Sequence, residues 1–221
     1  MQYKNLILFA VTLSCIRLTG LQAQTIKDID GNVYKIVTIG TQVWMAENLK
    51  TTKYNDGRAI PNVKDHYEWR ESTTSAYCWY NNDIANKYIY GALYNWFTVN
   101  TGKLCPKGWH VPTDAQWTIL TTFLGGDSVA GGKLKETDAT KWTYPNTGAI
   151  NASRFTALPG GCRNDNGTYL DFGIYGYWWS STEYNSSAIA HFRYMSYDLA
   201  SVNRRYYFKE SGYSVRCLRD N

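Results

Sequence analysis

The chain has 221 residues, a formal net charge of +5 and a high aromatic content that includes nine Trp and nineteen Tyr. The positive surplus is mild and spread along the sequence, and its densest point is the pair Arg204-Arg205. Because nucleic-acid binding needs a basic stripe or patch, we expect no nucleic-acid partner. Beyond residue 23 no stretch is apolar and long enough to cross a membrane, which takes about 20 residues.

The amino-terminal segment has the layout of a signal peptide. A short polar start with Lys4 precedes an apolar run over residues 6–13, and Ala23 supplies the small residue that precedes a cleavage site. We therefore expect cleavage between Ala23 and Gln24 and a protein that is secreted, periplasmic or held at the cell surface. Residues 24–221 have the size of one domain with a substantial core.

Two other interpretations of this segment stay open. A membrane anchor would need a longer apolar core, and Arg17 interrupts the one present. Lipid attachment at Cys15 is the second, because Thr12-Leu13-Ser14-Cys15 resembles a bacterial lipobox whose leucine stands one place late. Loss of residues 1–23 removes Lys4 and Arg17 and no acid, so the net charge falls from +5 to +3.

The domain that remains contains four cysteines, Cys78, Cys105, Cys162 and Cys217. They are far apart, without a CxxC pair or paired histidines, so a zinc site is not indicated. In an oxidising compartment an even number of cysteines favours disulfides. The residues alone leave all three pairings open.

Strands come first in the predicted order of elements. Asp30-Gly31-Asn32 predicts a turn before an alternating run over 33–39, and Gly40-Thr41-Gln42 predicts a second turn before a strand over 43–49. Residues 50–86 are polar but interleaved with Tyr and Trp. This pattern indicates an ordered loop, because the aromatic rings can bury area.

Two helices and a long loop follow. The apolar residues of 89–100 recur at helical spacing and predict the first helix. Thr113 and Gln116 form the capping-box signature of a second helix, which Gly125-Gly126 ends. From there to about residue 169 the sequence shows little periodicity. An irregular loop of that length in a compact domain is often functional.

The remainder returns to strands, which we expect over 177–182, 189–197, 202–209 and 213–218. Strands, two helices, a long loop and closing strands predict an α+β domain in which the two helices pack on a twisted antiparallel sheet. No internal repeat or linker divides it.

Six ordered phrases stand out along the chain. They are Asp28-Ile29-Asp30-Gly31-Asn32-Val33-Tyr34, Trp44-Met45-Ala46-Glu47-Asn48-Leu49, Tyr90-Gly91-Ala92-Leu93-Tyr94-Asn95-Trp96, Cys105-Pro106-Lys107-Gly108-Trp109-His110-Val111-Pro112, Tyr177-Trp178-Trp179-Ser180-Ser181 and Ser214-Val215-Arg216-Cys217-Leu218-Arg219. Together they resemble the Fibrobacter succinogenes major paralogous domain over residues 26–220. This resemblance implies an exported protein of Bacteroidetes or related bacteria, in a family generally without an assigned biochemical activity.

A more distant resemblance concerns the start of the second helix. The run Trp109-His110-Val111-Pro112-Thr113-Asp114-Ala115-Gln116-Trp117 is similar to the helix start of the formylglycine-generating enzyme superfamily, whose fold is a C-type lectin-like variant. It implies a C-type lectin-like fold with a long irregular loop, and a disulfide between Cys105 and Cys217 that reaches the last strand. The cysteines that the oxidase would need for copper and the usual calcium-dependent sugar-binding sequences are both missing.

Catalytic motifs are scarce. The sequence lacks GxSxG, GxxxxGK(S/T), GxGxxG and HExxH, so we expect no enzyme, no cofactor and no metal site. For His110, between Trp109 and Val111, a structural role is favoured over base chemistry. Glu183 is the best candidate for a catalytic carboxylate, although an ion pair with Arg193 at a strand end would explain it equally well.

The run Asn164-Asp165-Asn166-Gly167, with Asp171 further on, supplies oxygen ligands around a tight turn, as calcium loops do. It lacks the EF-hand spacing and the closing Glu of such a loop. A plain turn built from Asn and Gly is therefore favoured.

The aromatic residues give the last signal, because flat amphipathic rings suit sugar faces and protein surfaces. We expect the core to contain Trp44, Trp96, Trp109 and Trp117, and the ligand to meet the long loop and the strands beside it. The predicted ligand-binding residues are Asn164, Asp165, Asn166, Asp171, Trp178, Trp179, Glu183 and Arg193. Since Trp178 and Trp179 alternate across one strand, at least one of them must point into the core.

The sequence therefore predicts an exported, non-enzymatic binding module whose partner is a glycan or a protein surface. Two alternatives are an enzyme of the formylglycine-generating type or a hydrolase, and a structural protein of the cell envelope.

Overall fold

The computed structural model describes residues 24–184 and 188–220. The predicted signal peptide and Cys15 lie outside the described residues. Within those two ranges, no helix is both long enough and apolar enough to cross a bilayer.

Short strands dominate the secondary structure. The strands are β1 (Thr25–Lys27), β2 (Val33–Ile39), β3 (Gln42–Met45), β4 (Tyr77–Cys78), β5 (Leu93–Tyr94), β6 (Trp109–His110), β7 (Gly160–Arg163), β8 (Tyr169–Phe172), β9 (Tyr175–Glu183), β10 (Ile189–Ser196), β11 (Asn203–Phe208) and β12 (Leu218–Arg219). The helices are α1 (His66–Arg70), α2 (Asn86–Tyr90), α3 (Trp96–Val99), α4 (Asp114–Phe123) and α5 (Asp127–Leu134), and a 3₁₀ turn covers Tyr80–Asn82.

The strands form two sheets of five strands and one small pair. The first sheet has the order β1-β2-β3-β12-β6 and is antiparallel throughout. The second has the order β11-β10-β9-β7-β8, in which only the contact of β7 with β9 is parallel. The domain therefore has the α+β composition that the sequence predicts, with strands in the majority.

The central strand β9 is covered on both of its faces. Trp178 points to one side, where it packs with Trp117 and Phe155, and Trp179 points to the other side, where its ring lies 4.4 Å from that of Tyr213. Both tryptophans are 0% exposed. The four tryptophans that the sequence placed in the core, Trp44, Trp96, Trp109 and Trp117, are buried as well.

The predicted capping box is confirmed at the start of α4. The Thr113 hydroxyl accepts from the Gln116 N–H, and the Gln116 amide oxygen accepts from the Thr113 N–H at 2.9 Å. His110 has the structural place expected of it, because its Nε2 lies 3.0 Å from that same amide oxygen and its Nδ1 lies 2.5 Å from Asp220. The imidazole thus ties the helix start to the end of the chain.

The prediction of one helix over 89–100 is wrong. The chain instead forms α2, the short strand β5 and α3. Gly91 interrupts the helical run with φ of +77°, and a Cβ at this position would lie 2.7 Å from the carbonyl oxygen of Leu49. Tertiary packing against residues 48–49 therefore overrides the helical spacing.

The predicted long loop is shorter than the sequence suggested. Its first part forms α5, and its last part contains β7. Between them, residues 135–159 have no regular element beyond an isolated bridge of Lys135 with Ala157. The closing strand predicted over 213–218 is likewise reduced to single bridges and to β12, because residues 213 and 214 pair with Tyr94 and Trp178 in different sheets.

The predicted disulfide between Cys105 and Cys217 is confirmed, with Cα atoms 5.9 Å apart. It joins residues 112 positions apart, a separation for which the chain-entropy treatment gives about 4 to 5 kcal/mol of stabilisation. Cys78 and Cys162 are buried free thiols.

Three buried cations bind main-chain carbonyls in irregular segments or at a strand end. Arg163 donates to the carbonyl oxygens of Val63, Lys64 and Asp65. Arg216 donates to those of Phe155 and Thr156, and the Lys135 ammonium donates to those of Ser196 and Leu199 at 2.9 Å each. Each of these segments thereby gains donors that no neighbouring strand supplies.

Asn48 joins four of the six family-like phrases at one buried point. Its Oδ1 accepts from the Trp178 indole N–H and from Arg216 Nε, both at 2.9 Å. Its Nδ2 donates to the Tyr90 carbonyl at 2.8 Å and to the Ser214 hydroxyl at 3.2 Å. The phrases that mark the sequence therefore meet in one hydrogen-bond network.

We predict that both free thiols are inert in the native protein. Burial raises the pKa of Cys78 to about 11 and that of Cys162 to about 12, and the thiolate is the reactive form. Alkylation at pH 7.5 followed by peptide mapping should leave both residues unmodified until denaturant is added. Rapid labelling of either residue in the folded protein would show that this part of the core opens readily.

Candidate functional site

The two tryptophans predicted to contact ligand lie in the interior. Because both faces of β9 are covered, the rings of Trp178 and Trp179 present no area at the surface. The sequence predicted that at least one of the two tryptophans points into the core, and in the structure both are buried. Their visible role is to fill the core and to donate indole N–H bonds to Asn48 and to the Tyr94 carbonyl.

The predicted ion pair between Glu183 and Arg193 is wrong. Glu183 pairs with Lys209, and Arg193 pairs with Asp114 at 2.8 Å. Arg193 is buried and also donates to the Asp114 carbonyl and to Thr118. The alternation of residues along β9 and β10 explains the difference, because the side of β10 that carries Arg193 faces the start of α4.

The polar residues of the predicted site form a hairpin turn. Asn164, Asp165 and Asn166 connect β7 to β8, and the Asn166 side chain accepts from the N–H and the hydroxyl of Thr168. Burial, followed by the nearby Asp165 carboxylate, raises the pKa of Tyr207. Asp171 accepts from the Tyr177 hydroxyl at 2.7 Å. A role of these residues in ligand binding stays a prediction.

A cleft of about 1110 Å³ opens elsewhere on the surface. It lies between β2, the carboxyl end of α4 and the irregular segment 151–156. Its lining combines apolar side chains, among them the exposed ring of Phe123, with polar side chains and three charged ones. The charged residues are Lys35, Glu47 and Arg154, and the polar ones are Gln24, Thr38, Asn151, Ser153 and Thr156.

The segment 151–156 has an unusual backbone. Asn151, Arg154 and Thr156 have φ values of +44°, +58° and +59°. Residues other than glycine seldom adopt this conformation, and for a β-branched residue such as Thr it is an outlier. Strain of this kind persists only where the surrounding structure imposes it, and it is concentrated at functional sites.

Contacts with the core and with α5 impose this conformation. The Phe155 side chain is fully buried among Trp44, Trp117 and Trp178. The Arg216 guanidinium lies 4.1 Å from the ring of Phe155 and binds the carbonyls of residues 155 and 156. Ser153 donates from its N–H and its hydroxyl to the Lys133 carbonyl. The cleft wall is therefore held in place before any ligand arrives.

The floor of the cleft carries main-chain polar groups. The Ala46 N–H donates to the Lys35 carbonyl, and the Ile36 N–H donates to the Gln24 carbonyl. Because outward and inward groups alternate along an antiparallel strand, the N–H and carbonyl of Thr38 face away from β3, past the end of β1. They add one donor and one acceptor to the side chains around them.

The fold and this site define an α+β domain with a preformed, open cleft on one side. The chain belongs to the Fibrobacter succinogenes major domain family, whose match covers residues 37–219. No curated protein and no solved structure matches the chain. The finer C-type lectin-like assignment therefore stays a prediction.

The cleft wall 151–156 lies within the predicted long loop, whereas the ligand-binding residues predicted from the sequence lie in the hairpin and strands that follow it. Lys35, Glu47 and Phe123 gave no signal in the sequence, because only the packing of α4 beside β2 brings them together. The left-handed backbone of Arg154 and Thr156 is also invisible in a sequence that has no glycine there.

We predict that replacing Arg154 by Gly gives a more stable protein than replacing it by Ala, by about 1 kcal/mol, because glycine adopts a positive φ without the steric cost that other residues incur. Urea unfolding of Arg154→Gly and Arg154→Ala measures the difference directly.

Ile119 provides the control, because it is also exposed but lies in the interior of the helix α4. There the order should reverse, since Gly is less favourable than Ala in a helix by up to about 1 kcal/mol. If the Ala variant is the more stable one at both positions, the backbone at Arg154 carries no strain.

Proposed function

We propose that this protein is an exported, non-enzymatic binding module that takes a glycan in the cleft between β2, α4 and segment 151–156. The observation that carries the proposal is the strained cleft wall, which three contacts from the core and α5 hold in a fixed shape. A binding site whose wall is ordered in advance loses less conformational entropy when the ligand binds.

The lining favours a glycan over a flat protein surface. The site is concave, and its volume of about 1110 Å³ lies slightly above the range for small-molecule sites, about 300 to 1,000 Å³. Amides and hydroxyls at Asn151, Ser153 and Thr156 match the hydroxyls of a sugar, and the Phe123 ring, 63% exposed, offers an apolar face. The lining contains two cationic side chains, Lys35 and Arg154, and one anionic side chain, Glu47. This mixture of charges favours a neutral ligand.

The chemistry of the lining also supports binding rather than catalysis. Among the described residues that form the cleft, Glu47 is the single carboxylate, and histidine and cysteine do not occur. Glycoside hydrolysis usually needs two carboxyl groups on opposite sides of the scissile bond. A purely structural role in the cell envelope would leave the strained wall without a purpose.

The disulfide supports the export part of the proposal. Disulfides form and persist in oxidising compartments and are rare in the cytosol. The bond of Cys105 with Cys217 joins the middle of the chain to its last strand, so a domain of this design benefits from an oxidising environment.

The test is a glycan array with the purified protein, followed by affinity measurements on the strongest hit. We expect Phe123→Ala and Arg154→Ala each to weaken binding by about tenfold, or about 1.4 kcal/mol. Tyr144→Ala is the matched control, because Tyr144 is 90% exposed and lies outside the cleft. Its affinity should equal that of the wild type.

Two results would count against the proposal. Wild-type affinity in both Phe123→Ala and Arg154→Ala would place the ligand elsewhere on the surface. Binding that is lost only together with thermal stability would mean that the substitutions act through folding.

A further inference from the structure

The edge strand β11 is exposed on both of its faces. All of its residues from Arg204 to Phe208 are exposed, including the rings of Tyr206, Tyr207 and Phe208. It ends the second sheet, and among the described residues only β10 pairs with it. An exposed edge of this kind offers main-chain groups to another strand.

The hydrogen-bond register shows which groups are offered. The Lys209 N–H donates to the Ala188 carbonyl, so in the same register residues 203, 205 and 207 face β10. By alternation, Arg204, Tyr206 and Phe208 turn their N–H and carbonyl groups outward. Two of these carbonyls have contacts within the chain. Arg205 Nη1 lies 3.4 Å from the Arg204 carbonyl oxygen, and the Ser211 N–H donates to the Phe208 carbonyl. Both groups of Tyr206 are without a partner in the described part of the chain.

We propose that β11 pairs with β11 of a second copy of this chain, in an antiparallel two-fold arrangement centred on Tyr206. In that register Arg204 faces Phe208 of the second copy, Arg205 faces its Tyr207, and the two Tyr206 residues face each other. The outward groups then meet in the hydrogen-bonded positions of an antiparallel ladder, which gives about six main-chain bonds. The pairing joins the second sheet of one copy to the second sheet of the other copy, edge to edge.

The side chains of β11 are complementary to themselves in this register. Each arginine lies opposite an aromatic ring, an arrangement that allows cation–π contact and avoids placing two arginines opposite each other. Charged residues on an edge strand usually prevent pairing. Here Arg204 shares the Asp114 carboxylate with Arg193 through an ion pair of 2.9 Å, which leaves Arg205 as the one arginine of the strand that no described carboxylate contacts. The edge therefore carries less repulsion than its sequence suggests.

The test is register-specific disulfide trapping of variants that each carry one added surface cysteine, since the native free thiols Cys78 and Cys162 are buried. In a Cys15→Ser background, Tyr206→Cys places two cysteines opposite each other on the two-fold axis, within the reach of a disulfide. Phe208→Cys is the matched control, because the two cysteines would be about four residues, roughly 13 Å, apart. Mild oxidation should give a covalent dimer of the first variant and leave the second monomeric on a non-reducing gel.

Sedimentation of the unmodified protein over a concentration series should show a monomer–dimer equilibrium. Tyr206→Pro should shift it to the monomer, because proline removes an outward N–H without disturbing the bonds to β10. Equal trapping of both cysteine variants, or a protein that stays monomeric at the highest concentration, would overturn the proposal.

Discussion

One buried contact, between Arg216 and the carbonyls of residues 155 and 156, connects the most irregular part of this domain to its core. The guanidinium also reaches Asn48, which in turn binds Trp178, Tyr90 and Ser214. An arginine suits this place because its planar group presents five N–H donors in a fixed geometry. The Asn48 hydrogen-bond network and the cleft wall therefore both depend on the Arg216 side chain.

Buried cations are costly, and this domain offsets the cost with carbonyls and rings. Desolvation lowers the pKa of Arg216 to about 9 and that of Lys135 to about 8. Both groups lie beside aromatic rings, Arg216 on Phe155 and Lys135 on Trp142 at 5.3 Å. A chain rich in loops has many carbonyls without main-chain donors, and cations that bind several of them can order such loops without adding strands. The high aromatic content thus serves the interior more than the surface.

The sequence predicted the features that depend on local chemistry or on ordered phrases. The capping box of Thr113 and Gln116 follows from side-chain hydrogen bonding over three residues, and the bond of Cys105 with Cys217 followed from a family resemblance. Features set by distant packing were missed. Gly91 breaks a regular helical pattern because the backbone at residues 48–49 approaches it, and Trp178 and Trp179 are both interior because the second face of β9 is covered. Burial on both faces cannot be inferred from one strand's own residues.

The central claim is that Arg216 holds the cleft wall, and hydrogen exchange of the wall tests it most directly. In Arg216→Lys a single ammonium cannot replace the guanidinium's several directed bonds. We predict faster amide exchange for residues 151–157, while residues 63–66, which Arg163 holds, keep their wild-type rates; Arg163→Lys should give the reverse pattern. Unchanged exchange at residues 151–157 in Arg216→Lys, or an equal acceleration of both segments in each variant, would contradict the account.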